Sequence, residues 1–243
     1  MIMKTSNKIL LDILLTGFGY LVYVQTALHI KYVNKDLTDP VKYNAFFYDE
    51  YKFNHIRHVR LTGLAECNIS FSDSVKLSIE KSGVSYVTFR VREDTLIVNG
   101  EYHSDISANH KLFNSPQNVK LYFPAGIDVF ALNSNINIKG NNKHDSGYSY
   151  RFDLTGCNLF TRYNNGIDSL DRYFNNLVIN EGKDSQVILF RNDHFKTVDV
   201  ALDHSMINDY HAKIERMNIT TDSSSVVVVT GGNINKLNAV IRN

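Results

Sequence analysis

The sequence predicts an all-β protein, a parallel β-helix or β-solenoid with coils of 19–21 residues behind one N-terminal transmembrane helix. Three observations carry that expectation. Apolar and polar residues alternate with period two in VKLSIEK, YVTFRVRED, TLIVNGEY and NVKLYFP, the pattern of half-buried strands. Segments starting at Ile179 (INEGKDSQVI), Val198 (VDVALDHSMI) and Met217 (MNITTDSSSV) each begin apolar and carry Asp at the sixth position, a repeat of the length that stacked coils produce. Finally, a 22-residue apolar run precedes them.

That run, ILLDILLTGFGYLVYVQTALHI, begins at Ile9 and closes at Ile30, behind Lys4 and Lys8. Its length suits the ~20 residues that cross ~30 Å of hydrocarbon as a helix, so the lipid bilayer is the first expected partner. Asp12 lies one turn inside the lysine-flanked end, where a carboxylate costs less than at the centre. An uncleaved anchor is the leading reading; a cleaved signal peptide is the rival, since a basic start followed by an apolar run serves both. With the lysines cytoplasmic, the expectation is a bacterial inner-membrane protein crossing once, with its C-terminal domain in the periplasm. The expected divisions are a stub and anchor over 1–31, a linker and cap over 32–53, and the β domain over 54–243.

NKDLTDP, from Asn34 to Pro40, reads as a turn-rich linker, and the aromatic stretch after it as a cap. In HIRHVR, extended geometry places His55, Arg57 and Val59 on one face and Ile56, His58 and Arg60 on the other; an ordinary solvated strand is the preferred reading, and a small cationic patch for headgroups or polysaccharide the alternative. Ser82-Gly83, Glu93-Asp94 and Asn114-Ser115-Pro116 separate strands. In TTDSSSVVVVTGGNIN, Gly231-Gly232 follow a valine strand. A phosphate loop there needs a helix N-terminus after it, and the alternation from Asn233 to Val240 reads as strand, so the stretch is taken as one corner of a coil.

The chain has 243 residues, 26 Lys+Arg against 25 Asp+Glu and three prolines. Charge so balanced gives no basic stripe and no case for nucleic acid. Two cysteines, Cys67 and Cys157, make neither a metal cluster nor a disulfide scaffold. Cys67 alternates with Ile69 and Phe71 as a core residue, and a Cys67–Cys157 bond is left open. No P-loop, nucleophile elbow, dinucleotide fingerprint, HExxH or CxxC occurs, so no catalytic, cofactor or metal residue is assigned.

Asp184, Asp203 and Asp222 share the nineteen-residue period and are expected in one column. The leading reading is that each accepts a backbone N–H two residues on as an Asx turn; a Ca²⁺ site and a carboxylate pair for glycan chemistry are the alternatives. Asp193-His194 and Asp203-His204, with His211 near, have the residue types of a metal site or general base. Neighbours on a strand point oppositely, so solvated histidines are the preferred reading.

The segments IRHVRLTGLAECNISFSDSVKLSIEKSG, DTLIVNG, NVKLYFP and IDVFALNSNINIKG, with the later strands, resemble the head GIN domain family of auto-transporter adhesin-like bacterial proteins, over roughly 54–243. The resemblance implies an exported β-solenoid of no established activity, and carries over no catalytic residue. This chain has fewer corner glycines than the family pattern and interposes HKLFNSPQ before its proline-ending strand. The function expected is a non-enzymatic binding or scaffold module for a glycan or protein; the alternative is a β-helical polysaccharide hydrolase or lyase with outward carboxylates.

Overall fold

The computed structural model describes residues 5–33, 46–100, 118–144, 147–161 and 170–242. Two compact units emerge, Met1–Tyr48 and Asp49–Asn243. The first holds helix α1 (Thr5–Val33), about 44 Å long at 1.5 Å per residue. Ile13, Leu14, Leu15, Phe18, Tyr20, Leu21, Val22 and Tyr23 are all exposed, so the helix is apolar around its whole circumference, as lipid-facing helices are. The window Ile13–Ile30 is long and apolar enough to cross a membrane. An N-terminal signal sequence meets the same test, and the linker at 34–40 lies outside the described residues.

The second unit is built from two nine-stranded sheets. One runs β1 (Tyr48–Phe53), β4 (Val75–Glu80), β7 (Asn118–Phe123), β3 (Glu66–Phe71), β9 (Asn135–Ile138), β11 (Asn158–Phe160), β13 (Gln186–Ile188), β15 (Met206–Asn208), β17 (Val226–Val228). The other runs β18 (Leu237–Ile241), β16 (Lys213–Thr221), β14 (Asp193–Asp203), β12 (Arg172–Lys183), β10 (Tyr148–Thr155), β8 (Asp128–Leu132), β2 (His58–Thr62), β6 (Thr95–Gly100), β5 (Val87–Arg92).

These sheets correct the expected parallel β-helix. Both are open, with edges at β1, β17, β18 and β5, and both are mixed. β4 pairs antiparallel with β7, and β5 antiparallel with β6. The physical cause is local: Arg92 and Thr95 pair across a two-residue turn in which Glu93 has φ 56°, the left-handed twist that a tight hairpin requires. Equal spacing fails as well. Val198 lies beside Met217, but Ile179 lies beside Val200 and Lys183 beside Asp203, so β12 is out of step with the repeat on both sides of its irregularity between Ile179 and Gly182. A period-two pattern reports which face is buried, and says nothing of whether the neighbouring strand is parallel.

The buried residues form one cluster that includes Val59, Leu61, Cys67, Ile69, Val129, Phe152, Val198 and Ile219. Phe174 and Phe195 stack at 4.5 Å between centroids, and each buried phenylalanine contributes about 1.5–3 kcal/mol. Tyr150 is buried and donates its hydroxyl to the Lys139 carbonyl at 2.7 Å, which satisfies its polar end. Cys67 and Cys157 are buried free thiols. Burial pushes Cys67 up to about 12 and raises Cys157, so both are inert at neutral pH.

A ladder of corners follows one side of the second unit. Gly63, Asn133, Gly156, Asp184 and His204 all have φ between 48° and 61°. Gly63, Asn133, Gly156 and Asp184 each donate their N–H to the carbonyl ending the next strand, Leu132, Thr155, Lys183 and Asp203 in turn. One residue later, the N–H of Leu64, Cys157, Ser185 and Ser205 donates to the hydroxyl of Ser134, Ser185, Ser205 and Ser225. Ser134, Ser185 and Ser205 return their own hydroxyls to carbonyls two residues back, and Cys157 does the same through Sγ. Small polar side chains thus pair backbone groups that the turn would leave unpaired in the interior.

Candidate functional site

The outward face of the second sheet carries an open groove of about 610 Å³. Alternation builds it. Val59, Leu61, Val129, Ala131, Phe152 and Leu154 point inward and are buried, so His58, Arg60, Phe130, Asp153 and Thr155 point out. The register sets Arg60 beside Phe130, Phe130 beside Asp153, and Asp153 beside Glu181. In the next row, Asp128 receives His58 Nδ1 at 3.7 Å on one side and Arg151 Nη1 at 3.4 Å on the other. The His58 and Phe130 rings lie 6.1 Å apart, and Phe130 is 42% exposed. An exposed phenylalanine flanked by both signs of charge offers a stacking platform with polar anchors at its margins.

His58 and Arg60 therefore share a face, as the extended reading of HIRHVR required. The rest of that reading is corrected. His55 has φ 61°, β2 begins only at His58, and Ile56 and Val59 are both buried. A left-handed residue ahead of the strand breaks the alternation over 55–57.

At the corner ladder, Asp203, His204 and Asp222 offer ligand atoms within 4.8 Å of one another. His204 Nδ1 lies 2.6 Å from Asp203 Oδ1 and 3.6 Å from Asp222 Oδ2. The hydrogen bond and charge of Asp203, then the charge of Asp222, raise the His204 pKa. Asp222 accepts the hydroxyls of Ser224 and Ser225 and the N–H groups of His204, Ser224 and Ser225, which hold its carboxyl well below the usual range. Its lone pairs are committed to its own turn, the Asx reading. Asp184 stands apart from this pair. Lys183 is the partner of Asp203, and Asp184 occupies the left-handed position that His204 takes one strand later, so the three aspartates do not form one column.

Asp193 and His194 separate to opposite faces. Asp193 is fully buried and binds Arg172 Nε at 2.7 Å, the Phe190 N–H at 3.0 Å and the Thr161 hydroxyl. Burial raises its pKa to about 6 against the opposing pull of Arg172. His194 faces outward, with Nε2 3.1 Å from Asp171. Sequence reasoning missed Asp209, which is buried and accepts Thr230 N–H and Oγ1 at 2.9 Å and Asn233 Nδ2 at 2.7 Å. The signal was TGGN itself: Thr230 and Asn233 bracket Gly231-Gly232 in α2 (Gly231–Ile234), a single turn and not the strand expected from Asn233. The glycine pair thus serves a buried carboxylate.

No family model matches the chain, and no curated protein does. Among solved structures it is similar to a candidate lipid-binding protein from Parabacteroides distasonis, at 12% identity and TM-score 0.41, covering 79% of this chain and 74% of that one. A candidate adhesin from the same organism aligns at 10% identity and TM-score 0.39, over 74% and 79% of the two chains. Another from Bacteroides fragilis aligns at 11% identity and TM-score 0.38, over 80% and 94%. Likeness this distant carries neither a fold nor a role across to this chain.

Proposed function

We propose that the protein is a non-enzymatic binding module, held at the bacterial inner membrane by α1 with its N-terminus cytoplasmic and its β unit in the periplasm, and taking an extended glycan or peptide across the groove at Phe130. The groove carries the reading: about 610 Å³, open, with an exposed aromatic platform and charges of both signs in rows. Such a surface suits a polymer bound through many weak contacts rather than a small molecule enclosed in a pocket. The basic residues Lys4 and Lys8 support the orientation, and the segments quoted above support a place in the head GIN domain family.

The division into a stub and anchor over 1–31, a linker and cap over 32–53 and a β domain over 54–243 belongs to the same proposal. So does the absence of any catalytic, cofactor or metal residue. Asp153 and Glu181 do neighbour each other in the groove beside Arg60, which is the feature a glycan-cleaving enzyme would show. General acid catalysis needs one carboxyl enclosed so that it keeps its proton, whereas Glu181 is exposed and Asp153 only half-buried.

The test is calorimetric titration of the full chain in detergent micelles with peptidoglycan fragments and capsule-type oligosaccharides, beside Phe130→Ala and Arg60→Ala. Binding weakened by both substitutions without turnover supports the module. Release of reducing ends that depends on Asp153 or Glu181 would establish the enzyme instead.

A further inference from the structure

A second, smaller cavity of about 90 Å³ opens where β12, β14 and β16 enter the second sheet, lined by His144, Tyr173, His194, Lys196, Lys213 and Lys236 together with Asn175 and Glu215. Tyr173, His194 and Lys213 are direct partners on three successive strands. Tyr173 and His194 lie 4.7 Å apart at 32°, and His144 meets Tyr173 edge-on at 4.9 Å. Two positions along each strand, Asn175, Lys196 and Glu215 are skipped by the ladder pairing, between Phe174–Phe195–Ile214 on one side and Asn176–Thr197–Arg216 on the other.

The charge at this cavity is one-sided. Three lysines face one glutamate, and Asp171 is already engaged by His194 at 3.1 Å. Lys196, Lys213 and Lys236 form no ion pair among the described residues. Three lysine side chains lining one hollow make it a cationic spot, in a chain whose formal net charge is only +1, and an anion between them would offset their like charge.

We infer that this cavity binds an acidic glycan, with one carboxylate or sulfate seated among Lys196, Lys213 and Lys236 and the sugar backbone lying along the His144–Tyr173–His194 rings. The hollow has room for a small acid group, whose oxygens the ammonium donors satisfy. The sugar ring packs against the aromatic edge beside it, the kind of surface that binding sites use for apolar contact. Lys196 lies on β14, Lys213 on β16 and Lys236 just ahead of β18, three adjoining strands at ~4.8 Å spacing, so the cations are spread across the strands that a polymer with acid groups in series would cross. The inference shares the binding role proposed above but uses a different surface.

The experiment uses the full chain in detergent micelles and three fluorescein-labelled probes: polygalacturonate oligomers, dextran sulfate and neutral dextran. Fluorescence anisotropy is expected to show binding of one or both acidic probes and none of neutral dextran, with loss in about 0.5 M salt as screening shortens the reach of the lysines. The triple variant Lys196→Ala/Lys213→Ala/Lys236→Ala is expected to weaken binding by about tenfold or more, and Lys213→Glu alone more than Lys213→Ala. Removing equal charge elsewhere, with Lys52→Ala/Arg90→Ala/Arg92→Ala, is expected to leave affinity unchanged, as is Phe130→Ala, which separates this site from the groove. Equal loss in both triple variants, equal binding of neutral dextran, stronger binding to anionic phospholipid vesicles than to either acidic polymer, or no binding of either polymer would overturn it.

Discussion

The dipeptide Asp-His occurs at both ends of β14, as its first residues, Asp193-His194, and as its last residue with the one after it, Asp203-His204. In the first copy the backbone is extended, the aspartate goes inward to Arg172 and the histidine outward to Asp171. In the second, His204 turns left-handed at φ 49° and its ring closes back on Asp203 at 2.6 Å. Identical side chains therefore yield a buried ion pair at one end and an exposed hydrogen-bonded pair at the other. Backbone conformation decides which groups meet, and burial decides what the meeting is worth.

The largest effect should come from breaking the buried copy. Arg172 and Asp193 are 5% and 0% exposed, and the guanidinium is the cation facing that carboxylate. Arg172→Leu leaves a buried carboxylate without its cation, a change that costs about 3–5 kcal/mol. Chemical denaturation should show that loss at pH 7. A loss below about 1 kcal/mol would mean that water reaches Asp193 and that the contrast between the two copies is not one of burial.

Asp193 also sharpens the comparison through pH. Its folded pKa is raised to about 6 from an ordinary 3.8, mainly by burial, so between those values the folded chain holds a proton that the unfolded chain has released. Its contribution to stability is therefore greatest below about pH 4 and falls as pH rises through 6. Asp193→Asn should flatten the decline in Tm across that window. An unchanged slope would assign the decline to another group.

Much of the strand layout could be read from alternation, because one buried face imposes it: Val59 and Leu61, Val129 and Ala131, Val198 and Val200 are all inward. The sheets' mixed pairing could not, since the hairpin at Glu93 and the irregularity after Ile179 depend on backbone geometry that period-two patterns do not encode. For the same reason the aspartate column dissolved. A one-residue difference in spacing moves Asp184 from the strand-end position of Asp203 into the left-handed position of His204. The groove at Phe130 was legible only in part: HIRHVR supplied His58 and Arg60, while Phe130, Asp153 and Glu181 come from strands distant in sequence and are gathered by pairing alone.

The smallest effect belongs to the exposed copy. His204 is raised first by its hydrogen bond to Asp203, then by the charges of Asp203 and Asp222. Its contribution is full below the ordinary histidine value of 6.5 and is lost as pH rises through the folded value, whereas the Asp222 turn, with its lowered pKa, contributes above the ordinary carboxylate range and is lost in acid. Asp203→Asn removes the strongest of the His204 partners while keeping the side chain's shape. The histidine titration followed by NMR should then shift downward for His204, with Tm at pH 7 unchanged. A His204 titration that does not move would show that Asp203 is not what raises it, and a large drop in Tm would show that the corner at Asp203 holds the strand end more firmly than an exposed pair can.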